Sequence, residues 1–288
     1  MSVILITGTS SGIGLATAVH FARKGHDVYA AVRNPATATT LAETMAKEAL
    51  PITCVTIDVD NADSVRRGVD EVLAKSGRVD VLVNNAGVGG GGPIEDVPVD
   101  WAKTLFEANY FGAIRMTQAV LPGMRVRASG AIVNISSVAG RYVPGGHGHY
   151  AAVKHALEAA SEALALEVTP LGLRVVIIEP GMIVTPIFSK AKRFVAPESP
   201  YAHHVKRLLL FYQKQLPHAA PPTVVAETIE EAVTTPTPKL RWLVGDDAKR
   251  LVAGRSRISD EEFLADAQAS TDDEWVALMR RRYGFAWP

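Results

Sequence analysis

The sequence predicts an α/β protein, one doubly wound parallel sheet of about seven strands with helices on both faces. Three observations lead there. Short apolar runs rich in β-branched residues alternate with stretches of helical periodicity along most of the chain. Those runs are continuous rather than alternating in polarity, as expected of strands buried on both faces. The first run ends in a glycine-rich turn that opens a helix, an arrangement suited to binding phosphate. No low-complexity linker interrupts the rhythm, so residues 1–288 read as one domain.

In order, strands are expected at 3–6, 28–32, 52–57, 79–83, 131–135, 174–178 and 241–244. A first helix starts at Ile13 and stops at Gly25, a C-cap candidate. A second spans 36–48, and a third spans 61–75 with Asn61 as N-cap candidate. A long helix over 101–124 is expected to bend near Pro122. Pro144, Gly145, Gly146 and Gly148 delay the next helix, 150–168, until Tyr150. Beyond Pro180-Gly181 the regularity lapses, and 182–216 reads as an irregular apolar and basic segment, a candidate substrate lid. A helix at 224–233 follows. The charged extension, about 246–288, is expected to be helical over 260–282.

The composition is 48% hydrophobic and 21% charged, enough apolar material for a large core. Thirty basic residues balance thirty acidic ones, which gives no electrostatic reason to bind nucleic acid or an anionic membrane. A lone Cys54 excludes an internal disulfide and a cysteine metal cluster. The first strand begins at Val3, leaving no room for a signal peptide, and no apolar run is long enough to span a bilayer. A cytoplasmic protein is expected.

Two stretches carry chemistry. Gly8, Gly12 and Gly14, with Ser10, Ser11 and Ile13 between them, form a strand–turn–helix phosphate cradle; no lysine follows, so it is not a Walker loop. Further along, Ser137 precedes Tyr150 by thirteen positions, and Lys154 follows Tyr150 by four. Tyr150 and Lys154 then share a helix face, and the glycine-rich loop can fold Ser137 back towards them. A phenol titrates near 10. Lowering that by about 2–3 units takes roughly 3–4 kcal/mol, which an ammonium about 4–5 Å away supplies at an effective dielectric near 20.

These motifs resemble those of the short-chain dehydrogenase/reductases. The resemblance rests on TGTSSGIG at 7–14, Asp58 after the third strand, NNAG at 84–87 and Asn109 in the following helix. It continues with Ser137, Tyr150 and Lys154, and with PGMIVT at 180–185. It spans residues 1 to about 185; the lid and tail match only loosely, in the manner of the family's longer steroid- and retinol-type members. The fold it implies is a Rossmann-type sheet.

The resemblance implies a nicotinamide dinucleotide and an oxidoreductase interconverting a carbonyl and an alcohol. Tyr150 would be the general acid/base, and Lys154 would lower its pKa and hold the nicotinamide ribose. Ser137 would bond the substrate oxygen, and Asn109 would position a water. Counting back thirteen selects Ser137 over Ser136, which is read as structural. Asp58 and Val59 would hold the adenine edge, though Asp58 could equally cap its strand; Asn85, Ala86 and Gly87 would pass beside the adenosine ribose. Pro180, Gly181 and Ile183 would line the nicotinamide site, with Thr185 on its carboxamide. Arg33 stands beside Val32, the place of the family's NAD-selecting carboxylate, so NADP(H) is the expected cofactor; the alternative is a solvated surface arginine.

His147 and His149 are read as surface residues, and no metal site is claimed. Val138, Tyr142, Val143, Met182 and Phe188 are the candidate substrate contacts beside Ser137 and Tyr150, for a lipophilic substrate of steroid or retinoid type. A 3-oxoacyl-type reductase and a non-catalytic NADP-sensing regulator are the alternatives. The helices at 101–124 and 150–168 resemble those through which family members form homodimers or homotetramers. The Ala152, Ala156, Ala159 and Ala163 face of the second would suit either such an interface or packing within the subunit.

Overall fold

The computed structural model describes residues 1–287. Seven parallel strands form one sheet: β1 (Val3–Thr7), β2 (Asp27–Val32), β3 (Ile52–Thr56), β4 (Val81–Asn84), β5 (Gly130–Ile135), β6 (Leu173–Pro180) and β7 (Arg241–Val244). Their order is β3-β2-β1-β4-β5-β6-β7. The chain winds outward from β1 in one direction and then returns to lay β4 on its other side. That reversal opens a crevice at the carboxyl ends of β1 and β4, the place where open α/β sheets bind ligands.

The sheet is sandwiched because its strands are apolar on both sides. Ile4 and Ile6 face a layer built from α1 (Gly12–Arg23), α2 (Thr39–Glu48) and α8 (Pro222–Thr234), with Phe21, Leu41, Val225 and Ile229 in that core. Val3 and Leu5 face α3 (Ala62–Ser76), α5 (Gly112–Val126) and α6 (Gly148–Val168), with Val69, Met116 and Val120. Asn61 caps α3 as expected, its side chain accepting from Ser64 N at 2.9 Å.

Three expectations are corrected. The long helix is interrupted not at Pro122, which lies within α5, but between α4 (Val99–Phe106) and α5, where Glu107–Phe111 form a wider π turn. The segment 182–216 is not irregular throughout: after one helical turn at Ile187–Lys190 it forms α7 (Ala202–Gln215). The extension holds three helices, α9 (Asp246–Arg255), α10 (Asp260–Asp266) and α11 (Asp272–Tyr283), rather than one.

Lid and tail are built together. Phe211 of α7 packs with Met279, Phe285 and Trp287 in a third apolar cluster. Arg207 donates to Ala269 O at 2.7 Å, and Lys206 pairs with Asp272 at 2.6 Å. Phe285 and Trp287 are therefore buried within the subunit.

Candidate active site

The glycine turn is fixed from three sides. Gly8 N and Thr9 N donate to Ala31 O, at 3.1 and 3.3 Å, hooking the turn onto β2. Asn85 Nδ2 donates to Thr7 O at 2.8 Å and Gly8 O at 3.1 Å, binding it to the end of β4. Gly8 and Gly12 have φ of +70° and +60°, a conformation that strains other residues. A Cβ at Gly14 would stand 2.4 Å from Gly8 O, so helix and turn approach as only glycine permits.

This geometry fits an anionic dinucleotide. Ser11, the N-cap of α1, makes no side-chain bond to the helix, and the first turn carries no acidic residue. The helix N-terminus is left to the main chain's N–H groups and its dipole. A Cβ on Gly12 would meet Thr185 Cγ2 at 3.2 Å, so PGMIVT closes over the turn from the other side. That second segment is held by Asp247, whose Oδ2 accepts from Met182 N at 2.7 Å and whose carboxylate fills the space beside Gly181. Nothing in the sequence singled out Asp247 from its acidic neighbour Asp246.

The remaining residues gather around one cavity of about 570 Å³. Ile13, Asn85 and Gly87 line its cofactor side, with Pro180, Gly181, Ile183 and Thr185. Asn109, Ser137, Tyr150 and Lys154 line the middle. Val138, Tyr142, Val143, Met182 and Phe188 line the wall beyond. Gly8, Ser10, Ser11, Gly12, Gly14 and Ala86 do not line it, and Ser10 is exposed. Arg33, Asp58 and Val59 are also outside it, at the ends of β2 and β3. Beyond the effect of burial, Asp58 and Arg33 act on Asp60 with opposite sign, the carboxylate raising it and the guanidinium lowering it.

Asn109 sits in the π turn, buried, its Nδ2 donating to Leu105 O at 2.9 Å and Val88 O at 3.0 Å. One side-chain bond thus ties Asn109 to α4 and the other to the loop after β4, and Oδ1 faces Gly87. Ser136 Oγ is engaged with Glu158 Oε1 at 2.7 Å, while Ser137 Oγ accepts from Ala139 N at 3.1 Å and lines the cavity beside Tyr150. Lys154 Nζ donates to Ile135 O at 2.9 Å and lies 5.7 Å from the centre of the Tyr150 ring.

The electrostatics correct one expectation. Burial pushes the Tyr150 phenol up to about 12, against a smaller downward pull from Ser137. Lys154 is not among the groups that shift the phenol in the free protein, and its own ammonium is pushed down to about 8 by burial, with Glu158 pulling it back up. At neutral pH the pair is phenol and ammonium.

The histidines are not the expected surface residues. His147 lines the cavity with its ring 4.7 Å from that of Tyr150, and burial lowers it to about 4, so it is a neutral imidazole. His149 Nε2 is buried without a hydrogen-bond partner. The far walls come from α7 (Leu208, Tyr212), α10 (Phe263) and α11 (Trp275, Leu278, Met279). A contiguous lipophilic surface therefore adjoins a phenol, a hydroxyl and an ammonium.

The family model for short chain dehydrogenases matches residues 2–195. A short-chain dehydrogenase from Streptomyces avermitilis of known structure is 34% identical and superposes with a TM-score of 0.81 over 97% of both chains. A 3-ketodihydrosphingosine reductase of Bacteroides thetaiotaomicron is 36% identical over 84% of this chain and 87% of its own. An actinorhodin polyketide ketoreductase solved with NADPH is 28% identical, with a TM-score of 0.72 over 85% of this chain and 95% of its own. The chain belongs to the short-chain dehydrogenase family and is an oxidoreductase of that type.

Proposed function

We propose that the protein is an NADP(H)-dependent oxidoreductase that interconverts a ketone and an alcohol on a lipophilic substrate, with Tyr150 as general acid/base. The observation that carries this reading is the single cavity shared by Ser137, Tyr150, Lys154 and the segments flanking the glycine turn, with apolar walls on its far side. The dinucleotide, when bound, supplies or accepts the hydride. The chain's own groups handle the oxygen and its proton.

A carbonyl oxygen placed at Tyr150 Oη and Ser137 Oγ meets two hydroxyl donors in a desolvated site, where hydrogen bonds to a developing alkoxide are strongest. With its phenol held up to about 12, Tyr150 retains its proton at neutral pH and has it to give in the reductive direction. Lys154 remains charged below about 8 and stabilises the phenolate left behind. The relatives named as a 3-ketodihydrosphingosine reductase and a polyketide ketoreductase support a ketone as the reacting group. The cavity volume of about 570 Å³ falls in the range of small-molecule sites, roughly 300–1,000 Å³, and admits a large lipophile.

NADP(H) is supported by the lack of a carboxylate at the end of β2, where Val32 is buried and Arg33 is exposed. Self-association is supported by Ala152, Ala159 and Ala163, which are exposed on α6 rather than packed within the subunit, and by Phe111 and Leu166, exposed at 44% and 80%. The test is NADPH oxidation against long-chain 3-ketones, steroid ketones, retinal, 3-oxoacyl thioesters and small aldehydes. Turnover is expected to rise with the apolar bulk of the ketone. Turnover of the small aldehydes alone would defeat the lipophilic reading.

A further inference from the structure

Behind the site lies a group of buried charges that the chemistry above does not use. Glu158 follows Lys154 by one helical turn on α6 and is 3% exposed; Glu179, at the end of β6 just before Pro180, is 1% exposed. Carboxylates at that depth require partners. Glu158 Oε1 accepts from Ser136 Oγ at 2.7 Å, and its Oε2 accepts from Arg241 Nε at 3.1 Å. The same Arg241 reaches Glu179 Oε1 at 3.2 Å and Glu162 Oε1 at 2.5 Å, and Arg141 approaches Glu179 at 3.4 Å. The second oxygen of Glu179 is buried with no polar partner of its own.

The group joins three of the segments that supply the site. Ser136 adjoins Ser137 at the end of β5, Glu158 shares α6 with Tyr150 and Lys154, and Glu179 leads into Pro180-Gly181. The 138–140 loop is pressed onto it: a Cβ on Gly140 would stand 2.1 Å from Glu158 Oε1 and 2.8 Å from Ser136 Oγ. Resting on the catalytic reading of Lys154, we propose that Glu158 is a positioning residue. Its negative charge keeps Lys154 an ammonium in a buried site, and its bond to Ser136 fixes the strand end from which Ser137 reaches the cavity.

The charges around Glu158 set the sign of the effect. From β5 it meets only the neutral Ser136, from β7 the cation Arg241, from β6 the carboxyl of Glu179 with Arg141 of the turn after β5 upon it, and along its own helix Lys154 and Glu162. Glu179 is held well above the usual carboxylate range by burial first and by Glu158 second. Glu158→Gln keeps an acceptor for Ser136 and removes the charge. Lys154 then loses the field that opposes its desolvation and sheds its proton at lower pH. Glu179 ionises more readily in compensation, which limits the shift to about one unit.

The experiment follows the lysine Cε resonances of 13C-lysine-labelled protein against pH, with Lys154→Arg identifying the signal. Glu158→Gln is expected to move the Lys154 titration down by about one unit and the alkaline limb of kcat/KM with it. Glu158→Asp, which keeps the charge but withdraws it, is expected to fall between Gln and wild type, and it serves if the Gln variant does not fold. An unmoved Lys154 signal in Glu158→Gln, or one in Glu158→Asp at or above the wild-type position, overturns the inference. The resonance is read without turnover, so this result stands apart from whether Tyr150 is the acid.

Discussion

Gly14→Ala strikes the cofactor cradle where its tolerance is smallest. The added methyl would lie 2.4 Å from Gly8 O and 2.5 Å from Asn85 Nδ2, whereas ordinary contact begins near 3.4 Å. Turn or helix must therefore move by about 1 Å, and overpacking of this kind costs roughly 1–3 kcal/mol. The bond from Asn85 Nδ2 to Gly8 O, 3.1 Å long, weakens in the process, adding about 0.5–1.5 kcal/mol. If the turn yields, about 1.5–4.5 kcal/mol is lost from dinucleotide binding, roughly a ten- to thousandfold rise in Kd. If α1 yields instead, the cost appears as a fall in Tm of roughly 4–15 °C. Titration with NADPH by calorimetry, beside a thermal melt of the free protein, separates the two. Gly25→Ala is the control: φ there is +77° and nothing lies within 4 Å, so it costs about 1–2 kcal/mol of stability and leaves NADPH binding alone. A Gly14→Ala protein that binds NADPH within twofold of wild type and also melts at the wild-type temperature would refute the placement of the cradle.

Arg33→Ala is expected to weaken NADPH binding tenfold or more while leaving NADH binding unchanged, since only the 2′-phosphate meets the guanidinium; equal effects on both cofactors would assign the preference elsewhere. The pH profile carries a definite sign. Lys154, pushed down to about 8, is charged below that value, so kcat/KM for ketone reduction is expected to fall as pH rises through 8, reporting the free enzyme. A profile still rising between pH 8 and 9 would contradict the role given to the ammonium.

The sheet was legible because its strands are unbroken β-branched runs, and β1 to β7 fall within a few residues of where those runs lie. The Ser137–Lys154 stretch was legible because one segment carries all three groups. The lid helix α7 was not: its buried stripe includes Arg207 and Gln215 while Leu209 is exposed, so hydropathy along it misstates the face. The separate tail helices were missed although the sequence carries their start signals. Ser259 with Glu262 and Thr271 with Glu274 are capping boxes, each formed in the structure. The raised Tyr150 phenol could not be read at all, because it comes from burial in the folded protein rather than from the spacing of charged groups along the sequence. His147 was misread for the same reason, since only the folded loop brings its ring against Tyr150.

The central claim is that the Tyr150 hydroxyl delivers the proton. Tyr150→Phe removes that hydroxyl and keeps the ring, so NADPH oxidation with the best ketone, measured beside NADPH affinity, isolates it. The account predicts wild-type NADPH binding and a loss of turnover of about 10²–10⁴-fold. Turnover within tenfold of wild type, with NADPH bound normally, would contradict it.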